Sequence, residues 1–268
     1  MPGVTYLRPR DLADAVRLYR DTPGCRPLAG GTDLMVMLHA GALQPAPQAL
    51  LDLWPLGELK GIRRVNGGGA LEIGAAEPYT GIIRSALVQE HLPALVAASQ
   101  TIGAAQIQNR GTLGGNLANA SPAGDTLPVL LACDAVVVTD RRAIPVAEFF
   151  TGYRKTALEP DELIVAVRFP LDKRVVRFRK VGTRAAQAIS KVVIAVSRDP
   201  ARIAVGSVAE VPLRASAAEA ALARGDVAGA VAAIAADIRP IDDVRSTAAY
   251  RRAVTQNVLR RLLTPGES

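Results

Sequence analysis

Arg110-Gly111-Thr112-Leu113-Gly114-Gly115-Asn116-Leu117-Ala118-Asn119-Ala120-Ser121-Pro122-Ala123-Gly124-Asp125 is the stretch on which the reading of this chain turns. Closely spaced glycines stand among hydroxyl and amide side chains, with Asp125 as the one carboxylate. Apolar segments flank it, so the composition predicts an irregular loop over 111–125. A plain surface loop is usually richer in Lys and Glu. Its content suits a dinucleotide: N–H donors for phosphate, Asp125 for a ribose hydroxyl, Asn and Thr for polar edges. The glycine spacing is not a Rossmann fingerprint, and no strand–helix unit with a later acidic residue surrounds it. No Lys follows the glycines, so it is not a P-loop.

A second glycine pair lies upstream, in Leu28-Ala29-Gly30-Gly31-Thr32-Asp33-Leu34. Here a strand, Cys25 to Ala29, runs into adjacent glycines and then into a predicted helix, Thr32 to Ala40, stopped by Gly41. Glycine there exposes backbone N–H groups without Cβ interference, at the positive end of a helix dipole. Alone, the stretch is also an ordinary turn with Thr32 as N-cap, and Asp33 would repel a phosphate unless its side chain points away. Together, the two stretches argue for one extended ligand clamped from two sides. No acid–base pair accompanies them. His39 and His91 read as surface or packing residues, and Cys25 and Cys133 as buried apolar spacers. A nucleophile elbow is absent. Any chemistry is then carried by a cofactor.

Around these loops the chain divides in two. The front half mixes helix and strand: a helix from Asp11 to Tyr19, a strand from Leu71 to Ala75 after the turn Asn66–Gly69, and helical spacing from Leu87 to Ser99. Leu127 to Val138 resumes as a helix or a strand pair. Four strand-like runs follow: Glu162–Phe169, Val175–Val181, Ile189–Val196 and Ile203–Glu210. Three helices close the chain. Ser216 with Glu219 predicts a capping box before the first. Asp226 to Ala236 is the second, and the third carries the stripe Tyr250, Val254, Val258 and Leu262. This order places a domain boundary near Pro170.

The bulk properties exclude several classes. The chain has 268 residues, 49% of them hydrophobic and 21% charged, which is the balance of a globular protein with a proper core. Aromatics are only 4%, so the core leans on Ala, Val, Leu and Ile. Two cysteines cannot frame a disulfide scaffold or alone ligate an iron–sulfur cluster, and two histidines leave no zinc pattern. No apolar run is long enough for a membrane span, and the N-terminus lacks a signal-peptide core. The expected setting is cytoplasmic and reduced. The net charge of +7 is spread along the chain. The basic cluster Arg174, Arg177, Arg179 and Lys180 alternates with apolar residues like a strand, so no nucleic-acid partner is expected.

The sequence resembles the FAD-binding medium subunit of molybdenum hydroxylases, the group of xanthine dehydrogenase and the carbon monoxide dehydrogenase flavoprotein. Leu28–Leu34, Gln106–Ala135, Gly152–Pro170, Phe178–Arg184 and Ser246–Leu263 carry the match in order over essentially the whole chain. The thirty residues 106–135 are the most specific part. The resemblance implies an α+β fold. Residues 1–171 would form a two-part FAD-binding domain of the vanillyl-alcohol-oxidase type. Residues 172–268 would form a small C-terminal domain, a three-stranded antiparallel sheet with helices.

It also implies roles. The FAD pyrophosphate would meet Ala29, Gly30, Gly31 and Thr32, flanked by Pro27, Leu28, Asp33 and Leu34. Thr112, Gly114, Gly115 and Asn116 would form a second phosphate loop, with Asn119 close by. Asp125 would bind the ribose or ribityl side, and Ile164 would pack on the adenine end. Lys180 would approach the isoalloxazine, and Ile102 stands where some relatives carry an aromatic. No residue of this chain would be catalytic on the organic substrate, and none would bind a metal. The implied function is electron transfer: from iron–sulfur clusters on a small subunit, through FAD here, to an external acceptor. A large subunit would hold the molybdopterin, and the three chains would form a doubled heterotrimer. Two other readings stay open: a stand-alone FAD-dependent oxidoreductase with its own small organic substrate, and an interaction subunit that has lost its flavin.

Overall fold

The computed structural model describes residues 4–264. The ends of the two expected domains, residues 1–3 and 265–268, lie outside the described residues. The chain opens with a small parallel sheet whose strands lie in the order Thr5–Leu7, Ala49–Asp52, Cys25–Leu28. Helices Leu12–Asp21 and Leu34–His39 fill its connections. Asp11 caps the first of these, accepting a hydrogen bond from the Asp14 N–H at 2.7 Å. Ala15, Cys25, Ala49 and Leu51 form its small core.

The second sheet is antiparallel, with strands Ile62–Val65, Ala70–Gly74, Ile164–Pro170, Val136–Thr139 and Ala143–Pro145 in that order. Ile164–Pro170 is therefore its central strand, although it follows Thr139 by a long excursion. The apolar run Leu87–Ser99 is two helices, Ala86–His91 and Pro93–Gln100. Pro93 has no N–H to continue the first, and its fixed φ suits the start of the second. Leu127–Val138 resolves into helix Leu127–Ala132 followed by strand Val136–Thr139.

Residues 111–125 depart from the expected loop. Leu113–Asn119 is a helix, with the Thr112 side chain accepting from the Gly115 N–H at 3.0 Å. Two glycines in its first turn disfavour a helix by propensity. Packing overrides them: Leu113, Gly114 and Leu117 are buried, and Ala120 closes the helix in the left-handed region at φ 45°.

The C-terminal sheet has four strands, not the three expected. Their order is Arg177–Val181, Val192–Arg198, Ala201–Gly206, Leu213–Arg214, all antiparallel. The fourth is a two-residue edge just after Pro212, too short to leave a periodic signal. Val192–Val196 is apolar at every position because both faces are covered. Val192, Ile194 and Val196 face the helices Ser216–Ala223, Val227–Asp237 and Ala248–Leu263. Ala195 and Ala204 face the core of the five-stranded sheet.

Two helix details differ from the sequence reading. Ser216 and Glu219 do not form a capping box. Glu219 instead accepts from the Ile203 N–H at 2.8 Å and pairs with Arg214, while Asp237 accepts the Ala217 and Ala218 N–H groups. In the last helix the buried residues are Arg251, Thr255, Leu259 and Leu263, one position on from the apolar stripe. Arg251 is tolerated inside because it donates to Ser207 O and to Asp243 Oδ1, at 3.2 and 2.7 Å. No helix among the described residues is long and apolar enough to cross a membrane.

Candidate functional site

The strand Cys25–Leu28 ends in Ala29-Gly30-Gly31-Thr32, and helix Leu34–His39 follows. Thr32 is not its N-cap. Asp33 takes that position, without a side-chain capping bond. Gly31 has φ +76°, a conformation that a side chain disfavours. Gly30 serves a different purpose. A Cβ there would lie 1.7 Å from the Arg110 carbonyl oxygen. The two glycine stretches thus touch backbone to backbone, and Gly30 is needed for that contact. Arg110 is held from outside by its guanidinium, stacked on Trp54 at 3.8 Å.

Gly114 repeats the arrangement. A Cβ there would meet Ala75 at 2.7 Å, and its N–H donates to Ala75 O at 3.0 Å. Gly115 is crowded only by its own cap, Thr112 Oγ1, at 2.9 Å.

Between the loops runs a cleft of about 1710 Å³. Every candidate lines it: Pro27, Leu28, Ala29, Gly30, Gly31, Thr32, Asp33 and Leu34 from one stretch, and Thr112, Gly114, Gly115, Asn116, Asn119 and Asp125 from the other. Ile102, Ile164 and Lys180 complete the wall.

Lys180 and Asp125 are turned to each other. The Lys180 ammonium lies 2.5 Å from Asp125 Oδ2 and also donates to Thr101 O at 3.2 Å. Burial raises the Asp125 pKa, and the Lys180 charge opposes the rise. The second oxygen, Asp125 Oδ1, is buried and has no partner. A charge-paired carboxylate with one orphaned oxygen in a cleft wall is a ready acceptor for a ligand hydroxyl. Asn116 accepts from Thr126 Oγ1 at 2.7 Å, which fixes its amide.

Some lining residues left no clear mark in the sequence. Arg154 sits in the left-handed region, at φ 52°, in the turn joining strands Phe150–Gly152 and Lys155–Thr156. It donates to Asn119 Oδ1 at 2.7 Å, while the Tyr153 N–H donates to Glu210 Oε1 at 2.9 Å. Desolvation raises the Asp33 pKa, and Arg154 works against it. Tyr79, with a buried hydroxyl, also lines the cleft. The signals for both were slight: the polar Gly152-Tyr153-Arg154-Lys155 turn, and an aromatic in a chain with only 4% of them. Among the described residues no group of His, Cys, Asp and Glu could hold a metal ion. Cys25 and Cys133 are free and buried.

The family of the FAD binding domain in molybdopterin dehydrogenase matches residues 2–172. The chain belongs to the FAD-binding medium subunits of the molybdenum hydroxylases. A second match, to the CO dehydrogenase flavoprotein C-terminal domain, covers residues 177–265. Among such subunits, the chain is 38% identical to the xanthine dehydrogenase FAD-binding subunit of Escherichia coli O157:H7, over 62% of this chain and 57% of that protein. It is 30% identical to the glyceraldehyde dehydrogenase medium chain of Sulfolobus acidocaldarius, over 95% of each. Its fold is similar to that of carbon monoxide dehydrogenase from Hydrogenophaga pseudoflava lacking the Mo-pyranopterin moiety of the molybdenum cofactor. There the TM-score is 0.90 at 30% identity, covering 97% of this chain and 96% of the other.

Proposed function

We propose that this chain binds one FAD in its cleft and relays electrons within a molybdenum hydroxylase. The observation that carries the reading is the meeting of both glycine loops across one cleft, with the orphaned Asp125 Oδ1 in its wall. When bound, FAD would supply the redox chemistry, collecting electrons and passing them to an external acceptor.

The chain's own residues would bind and orient. The backbone of Ala29, Gly30, Gly31 and Thr32 would face the diphosphate, with Pro27, Leu28, Asp33 and Leu34 shaping the loop. Thr112, Gly114, Gly115 and Asn116, at the start of helix Leu113–Asn119, would face it from the other side, next to Asn119. Asp125 would accept from a cofactor hydroxyl while Lys180 neutralises its charge. Ile164 and Ile102 would offer apolar surface at the two ends. Residues 1–171 would act as a two-part FAD-binding domain of the vanillyl-alcohol-oxidase type, and 172–268 as the domain that brings Lys180 to the cleft. The partners would be an iron–sulfur small subunit and a molybdopterin large subunit, in a doubled heterotrimer.

Purified chain should be yellow, and acid denaturation should release one equivalent of FAD into the supernatant. Flavin retained in the pellet would contradict non-covalent binding. Size-exclusion chromatography with mass analysis on native material should find the two larger-complex partners. A lone chain that turns over an organic substrate with FAD alone would instead support the stand-alone oxidoreductase.

A further inference from the structure

One buried group in the cleft has no role in the site so far. Tyr79 opens helix Tyr79–Arg84, and its N–H donates to Gly111 O at 3.0 Å. Its ring packs beneath the second glycine loop, 3.3 Å from where a Gly111 Cβ would stand. The residue is 3% exposed, lines the cleft, and has a buried hydroxyl with no hydrogen-bond partner of proper geometry. The Thr126 hydroxyl beside it gives its hydrogen to Asn116 Oδ1, so it has none to donate to the phenol oxygen. The other partnerless oxygen in this wall is Asp125 Oδ1, and Asp125 directly precedes Thr126, the residue beside the phenol. A phenylalanine would fill the same space without the cost of an unsatisfied buried group.

We propose that Tyr79 is a cofactor-binding residue: its phenol donates to a sugar-type hydroxyl of FAD, which in turn donates to Asp125 Oδ1. The chemistry selects the group. A phosphate or a flavin carbonyl accepts from a phenol but has no proton for a carboxylate. The adenine amino group donates but does not accept. A hydroxyl does both. The FAD ribityl chain and the adenosine ribose both carry such hydroxyls, and the inference rests on the FAD reading.

The test is Tyr79→Phe in the full chain, measured two ways. FAD affinity should fall roughly five- to tenfold, the loss of one buried hydrogen bond. The flavin-free variant should unfold at a higher temperature than flavin-free wild type, because its orphaned hydroxyl is gone. A merely structural tyrosine would lower the unfolding temperature. FAD analogues then identify the hydroxyl. An analogue lacking the contacted ribityl hydroxyl loses both bonds, so it should bind wild type more weakly than FAD binds the variant, and the losses from analogue and variant should be less than additive. If the adenosine 2′- or 3′-deoxy analogue behaves that way, the hydroxyl is on the ribose. Affinity within twofold of wild type, a destabilised flavin-free variant, or fully additive losses with every analogue would overturn the proposal. Wild type that takes up no FAD would instead sink the cofactor reading itself.

Discussion

Gly30-Gly31 and Gly114-Gly115 look interchangeable on paper, yet within each pair the two glycines have different jobs. The first of each pair lets backbone meet backbone: Gly30 against Arg110, Gly114 against Ala75. The second sets the local form of the loop. Gly31 supplies a positive φ, and Gly115 gives its N–H to the Thr112 cap. One glycine of each pair therefore serves a contact between protein segments that shapes the cleft.

The difference can be broken by substitution. Gly30→Val has the largest expected effect, because a backbone carbonyl 1.7 Å from the new Cβ cannot step aside. We expect a loss above about 3 kcal/mol in urea unfolding, together with loss of FAD. Normal stability with only FAD lost would mean that Gly30 serves the ligand alone. Gly114→Ala comes next. Its Cβ would meet Ala75 at 2.7 Å, costing about 2 kcal/mol after the helical gain of alanine. Gly31→Ala should cost about 1–2 kcal/mol through its left-handed backbone, measured the same way. Gly115→Ala should change stability by less than about 1 kcal/mol, since only the Thr112 hydroxyl must give way. If Gly115→Ala proves as damaging as Gly114→Ala, the division of labour within the pair is wrong.

A last substitution sharpens the contrast from across the cleft, where the wall is held by charge. Desolvation works against the charged form of Asp243, but Arg251 and the Arg245 and Ser246 N–H groups hold its pKa at about 2. A folded pKa below the unfolded value, about 4, makes this contribution complete above pH ~4 and lost as pH falls toward 2. Asp243→Asn should thus lower the melting temperature at pH 7, and the two proteins should converge on acidification. A gap that persists at pH 2 would remove the charge from the account.

How much was legible depended on distance along the chain. The first helix, the strand after the turn Asn66–Gly69 and the strands flanking Pro170 follow from neighbours within a few residues. The helix Leu113–Asn119 did not, because Ala75, far upstream, makes Gly114 useful there. Glu219 was misread as a capping partner for the same reason: its hydrogen-bond partner is the Ile203 N–H of a neighbouring strand. Arg251 lies off the apolar stripe of its helix, yet it is buried where Ser207 and Asp243 meet it.

By itself the sequence determined the two glycine loops, the residues available to line a cleft, the mixed α and β elements and the family resemblance. These are matters of residue type, local spacing and motif. Only the tertiary structure decided which glycine faces protein and which shapes its loop, that Lys180 is paired with Asp125, and that Tyr79 and Asp125 Oδ1 stand unpartnered in one wall. The physical reason is that steric exclusion and hydrogen-bond satisfaction are properties of pairs in space. A chain written in order does not show which atoms will compete for the same few ångströms.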